Sequence, residues 1–355
     1  MFLIIMIVGL FVLGILVMIL YKGLVGAQRI KMRLSAVNLL VGLLLLLTCS
    51  PQAMAEQGKR IPRIGLLLVD ASSRLEAFRK GLQALGYIEG QNVELDYRST
   101  EGKYEVLQQL ITELIARKVD VIVTGGNEAT QAAKKATTII PIVFGTASDP
   151  LGSGLVVSLA RPGGNITGLS LLSRELTAKR FEILREVVPK ANRVAILFTP
   201  DSRASVMQFE ETRAAAQTTH IALQPLEVRT PKEFEAVFDA AVRGRADALL
   251  IVQSTFTLAH KRQLATLASE HRLPTMYWSS EFVEVGGLMS YGADTLDMYR
   301  RAASYVDRIL KGVKPGDLPV EQPSKFELAV NLKTAKSLGL MLPSSVLIRV
   351  DRVIE

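Results

Sequence analysis

From position 62 onward the chain alternates short apolar runs rich in β-branched residues with longer segments whose apolar positions recur every three or four residues. The first pattern predicts strands buried on both faces and the second amphipathic helices, which together make a parallel sheet covered on both sides. A strand over 63–70 leads to a helix carrying Leu75, Phe78, Leu82 and Leu85, which Gly86 stops. A strand over 92–98 follows, then a helix with Leu107, Leu110, Ile111, Leu114 and Ile115 on one face. A strand over 119–124 ends in Gly125-Gly126, a helix covers 128–136, and a strand over 141–146 closes the series.

About 130 residues later the series repeats. RVAILFTP at Arg193 answers RIGLLLVD at Arg63, and LQPLEVR at Leu223 answers NVELDYR at Asn92. ADALLIVQS at Ala246 answers VDVIVTGG at Val119, and PTMYWSS at Pro274 answers PIVFGT at Pro141. Four patterns in the same order at nearly constant offset predict two similar lobes. The tail fits no third lobe: a strand over 288–291, a helix over 296–310, a strand over 325–332 and a helix over 334–338 are left over. Such leftovers suit a chain that crosses between lobes more than once, giving a multi-strand hinge on which the lobes close. The expected fold class is therefore α/β, two doubly wound parallel-sheet lobes. The first lobe is expected to hold residues 62–172 with about 292–318, and the second 173–291 with about 319–355.

The start of the chain is a different material. Residues 32–55 read as an export signal: Arg33, an apolar core from Leu39 to Leu47, and the small-x-small triplet Ala53-Met54-Ala55 before Glu56. Upstream, 2–20 is a second apolar run, long enough to span a bilayer, where roughly 20 residues suffice. Two readings of 1–31 stand, a membrane anchor or an extension that begins ahead of the true start at Met32. Cys49, the single cysteine, sits in a sequence loosely like a lipobox, so lipidation there competes with cleavage after Ala55. In the cleaved form the body has no cysteine, hence no disulfide and no thiolate metal site. Export also places the body where nucleotide cofactors are scarce.

Charge changes the picture little. Of 42 Lys and Arg, four fall in the first 55 residues, which hold no acid. The rest therefore carries 38 bases against 34 acids, a net of +4 rather than the +8 of the whole chain. The charges are interspersed, and no basic run or aromatic-basic interleaving suggests nucleic acid.

In open parallel sheets ligands bind beyond the carboxyl ends of the strands. Those ends here are 70–72, 124–127, 145–149, 199–202, 253–255 and 278–281, rich in hydroxyls, glycines and amides. The candidate ligand-binding residues are Asp70, Ser72, Thr124, Asn127, Thr146, Ser148, Asp149, Ser202, Ser254, Tyr277 and Glu281. Several ends run straight into helices, whose free N–H groups favour an anionic group such as a carboxylate. Ser72, Asn127 and Ser202 equally suit plain helix caps, and Asp149 before Pro150 suits a turn opener or a partner for a ligand ammonium. Tyr277, Trp278 and Tyr291 either line an apolar pocket or lie in the core. Catalysis finds no support. The histidines, His220, His260 and His271, fall in or at the ends of helices on the lobe exteriors, no metal-binding cluster or GxSxG elbow occurs, and Gly125-Gly126 lacks the rest of a phosphate loop. No cofactor is expected.

The stretch GTASDPLGSGLVVSLARPGGNITGLS, from Gly145 to Ser170, resembles the signature of the TrpX-like ABC transporter substrate-binding family. So do the closing run from Val283 to Pro343 and the segments LQALGYIEGQNVELDYRSTEG and LASEHRLPTMY. The resemblance covers essentially 62–355. It implies a type I periplasmic binding protein that captures a small solute, with some relatives associated with aromatic amino acids, and presents it to a membrane permease. It also implies a pocket drawing on Ser72, Thr124, Asn127, Ser148, Asp149, Ser202, Ser254 and Glu281. The chain departs from the family at Gln253-Ser254-Thr255-Phe256, where many relatives carry Asp-Pro-aromatic, and at Thr124 to Glu128, where Gly-Thr-Pro is more usual. The expected function is thus the binding component of an ABC importer, monomeric and outside the cytoplasm. A membrane-anchored sensor and a two-lobed enzyme of nucleotide-sugar type are the alternatives.

Overall fold

The apolar runs become two sheets in the computed structural model, which describes residues 60–69 and 72–355. The export segment 32–55, the run 2–20, Cys49 and Asp70 lie outside the described residues. The first sheet holds β1 (Arg63–Leu68), β2 (Glu94–Ser99), β3 (Val121–Gly125), β4 (Ile142–Ala147) and β5 (Ile166–Ser170), ordered β2-β1-β3-β4-β5 and parallel throughout. The second repeats that order with β6 (Arg193–Phe198), β7 (Ala222–Glu227), β8 (Ala248–Ile251), β9 (Thr275–Tyr277) and β10 (Met289–Ala293). It then adds β11 (Phe326–Asn331), antiparallel to β10, and β12 (Arg352–Ile354), parallel to β11.

The strand expected at 288–291 is therefore no leftover. It is β10, the fifth strand of the second series, and its counterpart β5 escapes a pattern reading. ITGLS mixes Thr, Gly and Ser with two aliphatics, yet all five residues are buried. What the alternation hides, the sheet reveals: β5 is an inner-facing edge strand covered from both sides.

Both faces of each sheet are covered. One core of the first lobe gathers Ile64, Leu66 and Phe78 with Met298, Tyr299 and Val306, and the other gathers Leu67, Ile111, Ile122 and Phe144. In the second lobe Ile196, Leu250 and Val330 lie on one side and Phe234, Phe238, Ile251 and Tyr277 on the other. Burying each such side chain contributes about 1.5–3 kcal/mol, the only large source of stability in a body without disulfides.

Helix α1 (Ser72–Ala84) follows β1, α2 (Leu107–Ala116) follows β2 and α3 (Asn127–Ala136) follows β3. In the second lobe α4 (Ser173–Val187) precedes β6, and α5 (Arg203–Gln217), α6 (Phe234–Arg243), α7 (Thr255–Ala259), α8 (Lys261–Glu270) and α9 (Ser280–Glu284) link its strands. The helix that follows β10, α10 (Thr295–Leu310), instead packs on α1 and β4 of the first lobe. After it the chain returns along β5, where Ser170 donates its N–H to the Glu321 carbonyl at 2.8 Å, before entering β11. The chain therefore passes between lobes after β5, after β10 and before β11, and these passages form the hinge.

One detail differs from the sequence expectation. His260 is not on the exterior: its half-buried ring packs on Phe256 and Phe234, with centroids 4.9 and 5.5 Å away. Among the described residues, no three His, Cys, Asp or Glu side chains gather as a metal site, and no helix is long and apolar enough to cross a membrane.

Candidate functional site

The carboxyl ends of β1, β3 and β4 face those of β6, β8 and β9 across a cavity of about 490 Å³, mouth included. The first lobe contributes Val69, Arg74, Asn127, Glu128, Thr146, Ser148, Leu171 and Tyr299. The second contributes Ser202, Gln253, Ser254, Thr255, Leu258 and Trp278.

Asn127 opens α3, and its Oδ1 accepts the N–H of Ser148 at 2.8 Å. That bond fixes the amide, so the oxygen faces the backbone and Nδ2 is the free end. Nδ2 is buried without a hydrogen-bond partner in a residue that lines the cavity. Ser202 lines the cavity and caps a helix. Its oxygen caps α5 by accepting from the Ser205 N–H, and its hydroxyl donates to Glu128 of the opposite lobe. Ser254 likewise caps α7, accepting from the Thr257 N–H at 3.0 Å, while lining the cavity. Thr146 lies 3.4 Å from the Tyr299 hydroxyl on the same wall.

Four expected residues stand elsewhere. Thr124 is fully buried behind the wall, its hydroxyl 2.8 Å from that of Thr130, and so ties β3 to α3. Asp149 stays off the wall because Oδ1 accepts the Gly152 N–H at 2.7 Å, which closes a turn. Tyr277 points into the core of the second lobe, stacked 4.7 Å from Phe282, with its hydroxyl unpartnered and its phenol pushed upward in pKa by burial. Tyr277 lies wholly in the core, whereas its neighbour Trp278, packed edge-on to the same Phe282, also reaches the cavity wall. Glu281 sits behind the wall, where it forms an ion pair with Arg74 of the first lobe and lies 3.5 Å from Lys261 Nζ. Of Ser72 only the backbone, in the first turn of α1, is described.

Arg74 was not anticipated. It is 3% exposed and brings a cation to a cleft whose strand ends carry almost none. The signal existed, since Arg74 lies one turn before Phe78 on the buried stripe of α1. Glu128 was likewise quoted only as part of a loop. It lies in the first turn of α3, where a helix end favours an acid. Next to it burial, and then the Glu128 charge, raise the pKa of the Tyr104 phenol, so that group stays protonated.

The lobes are closed on each other. Besides the Arg74–Glu281 and Ser202–Glu128 contacts, the Thr255 hydroxyl of the second lobe donates to the Tyr104 hydroxyl of the first at 3.1 Å. Gly102 and Gly126 mark how close the approach is. A Cβ at Gly102 would lie 2.5 Å from the Ala259 Cβ, and one at Gly126 would lie 2.4 Å from the Thr255 Cγ2, both across the cleft.

Comparison with known proteins places this arrangement. A family model of ABC transporter substrate binding proteins matches residues 69–354. A tyrosine-binding protein of Clostridioides difficile (strain R20291) is 26% identical over 266 residues, covering 75% of this chain and 76% of the relative. The ABC domain from Streptococcus pneumonia in complex with L-Trp superposes with a TM-score of 0.74 at 26% identity, over 82% of this chain and 100% of that one. A ligand-free, open substrate-binding protein with adhesive properties from Clostridium difficile gives only 0.60 at 24% identity, over 83% and 99%. With its cleft set between two duplicated sheets and residues 69–354 matched, the chain belongs to the ABC transporter substrate-binding proteins, type I periplasmic binding folds that hold a solute rather than transform it.

Proposed function

We propose that this protein captures an α-amino acid with an apolar or aromatic side chain between its lobes and delivers it to an ABC permease, working as a monomer outside the cytoplasmic membrane. The observation that carries this reading is the two-sided cavity. Val69, Leu171, Leu258 and Trp278 give it an apolar and aromatic wall, while Arg74, Asn127, Glu128 and Ser148 supply charge and hydrogen bonds. A purely apolar solute would leave the polar half unsatisfied, and a sugar would waste the apolar half. The names of two relatives, one tyrosine-binding and one holding L-Trp, support the same class. The export pattern at 32–55 supports the location, and the family supports the permease. Ligand contacts from both lobes exist only in the closed form, so binding shifts the population toward closure.

The test is a thermal shift on protein unfolded, stripped of carried-over solute and refolded. L-tryptophan, L-tyrosine, L-phenylalanine and L-leucine are compared with L-glutamate, L-lysine and glucose. A binder at 100 times its Kd adds about 2.7 kcal/mol of stability and raises Tm accordingly. The reading fails if the apolar and aromatic amino acids leave Tm where the buffer does.

A further inference from the structure

Glu128 presents an unbalanced charge to the cavity. Its carboxylate accepts a hydrogen bond from the Ser202 hydroxyl, and among the described residues no lysine, arginine or histidine pairs with it. The nearby acid behind the wall, Glu281, is by contrast matched by Arg74 and Lys261. Its place in the first turn of α3 makes an acid favourable there, but that does not require a carboxylate turned to the cavity and bridged to the opposite lobe. This half-buried carboxylate is thus held between the two lobes with no cation of its own. One residue earlier, Asn127 shows the opposite shortage: its Nδ2 is a buried donor with no acceptor. Adjacent residues therefore ask for a cation and for an acceptor, the two halves of a zwitterion.

We propose that Glu128 is the counter-charge for the solute's ammonium group while Asn127 Nδ2 donates to its carboxylate, so that the pair Asn127-Glu128 selects α-amino acids over the corresponding carboxylic acids. The proposal rests on the amino-acid reading of this cavity and refines it. It also couples recognition to closure. Because Ser202 reaches Glu128 from the second lobe, the carboxylate that reads the ammonium is the one both lobes share.

Calorimetric titration of the refolded protein with L-tyrosine and with 3-(4-hydroxyphenyl)propanoate, and with L-tryptophan and indole-3-propanoate, tests this. The wild type is expected to prefer each amino acid over its desamino analogue by roughly 10- to 100-fold, the worth of a charge-assisted hydrogen bond. In Glu128→Gln, which keeps the shape and an acceptor for Ser202, that preference should fall to within about threefold while the desamino acid binds no more weakly than before. In Asn127→Asp, which keeps the bond to Ser148 but turns an oxygen to the cavity, both members of a pair should weaken together and the preference should persist. Equal binding of amino and desamino acids by the wild type overturns the proposal and leaves solute capture standing. An unchanged preference in Glu128→Gln overturns it in the same way and makes Glu128 a structural residue. If neither amino acid binds the wild type, both the capture of these solutes and the proposal fall.

Discussion

The two lobes share a strand order and differ in what they bring to the cleft. The first holds the groups with strong, directed chemistry: the Arg74 guanidinium, the Asn127 amide and the Glu128 carboxylate. The second brings hydroxyls that cap its own helices, at Ser202 and Ser254, and an apolar cover from Leu258 and Trp278. Duplication copied the scaffold and left the chemistry free to diverge, because strand-end loops bear little of the core's packing. The difference implies an order of events. On the proposed reading a zwitterion would meet its charge partners on the first lobe, and the second would then close as a cover, tied down by Glu281 on Arg74 and by Ser202 on Glu128.

The hardest blow to that division is Arg74→Ala. In the closed form it leaves Glu281 with Lys261 alone, removes the cation from the first lobe and opens a void beside the solute. Breaking a buried ion pair by deleting one partner costs about 3–5 kcal/mol. Most of that falls on the closed state, since opening returns Glu281 to water. Affinity for L-tyrosine or L-tryptophan should drop on the order of 100-fold or more by calorimetry, with a smaller change in the unfolding midpoint of the free protein. An equal loss in both measurements would mean the pair holds the fold rather than the closure.

Closure can also be blocked without touching charge. Gly102 has φ +77° and its Cβ position lies 2.5 Å from the Ala259 Cβ, an atom with no rotamer to escape through. Gly102→Ala therefore adds about 1–2 kcal/mol of backbone strain in either state and a steric wedge only when closed. The expected result is roughly tenfold weaker solute binding, and a radius of gyration by small-angle scattering that solute no longer reduces. If the second lobe is only a cover, the weak binding that remains should keep the first lobe's preference for an amino acid over its desamino analogue.

The duplication was legible because buried parallel strands are written as unbroken apolar runs, and four of them recur in order. The fifth pair was not, since ITGLS owes its burial to neighbours that only the assembled sheet supplies. At the site, Asn127, Ser148, Ser202 and Ser254 were legible from one rule, that strand ends face the ligand. The rule names a place and not a direction. Thr124 and Asp149 sit at the right place and spend their side chains on local bonds. Arg74 was hidden for the opposite reason: it lies in the first turn of a helix, on a stripe read as core, and its partner is 207 residues away.

Tyr277 gives the mildest test, and it separates core from cleft within one strand. Its hydroxyl is fully buried and unpartnered, and burial raises the phenol's pKa, so it stays neutral at any pH the fold survives. An unsatisfied buried hydroxyl costs about 1–3 kcal/mol, and replacing it by hydrogen keeps the ring stacked on Phe282. The gain is offset in part by the small gap left where the oxygen was. Tyr277→Phe should therefore stabilise the protein by about 1 kcal/mol, a rise of about 2–4 °C in Tm, and leave solute affinity unchanged. The adjacent Trp278→Phe should instead lower Tm, because the indole is packed on Phe282 and donates to Thr257, and should also weaken a solute that rests on it. Should Tyr277→Phe instead cost affinity, the hydroxyl would be reaching the cleft, and the core position assigned to Tyr277 would not hold.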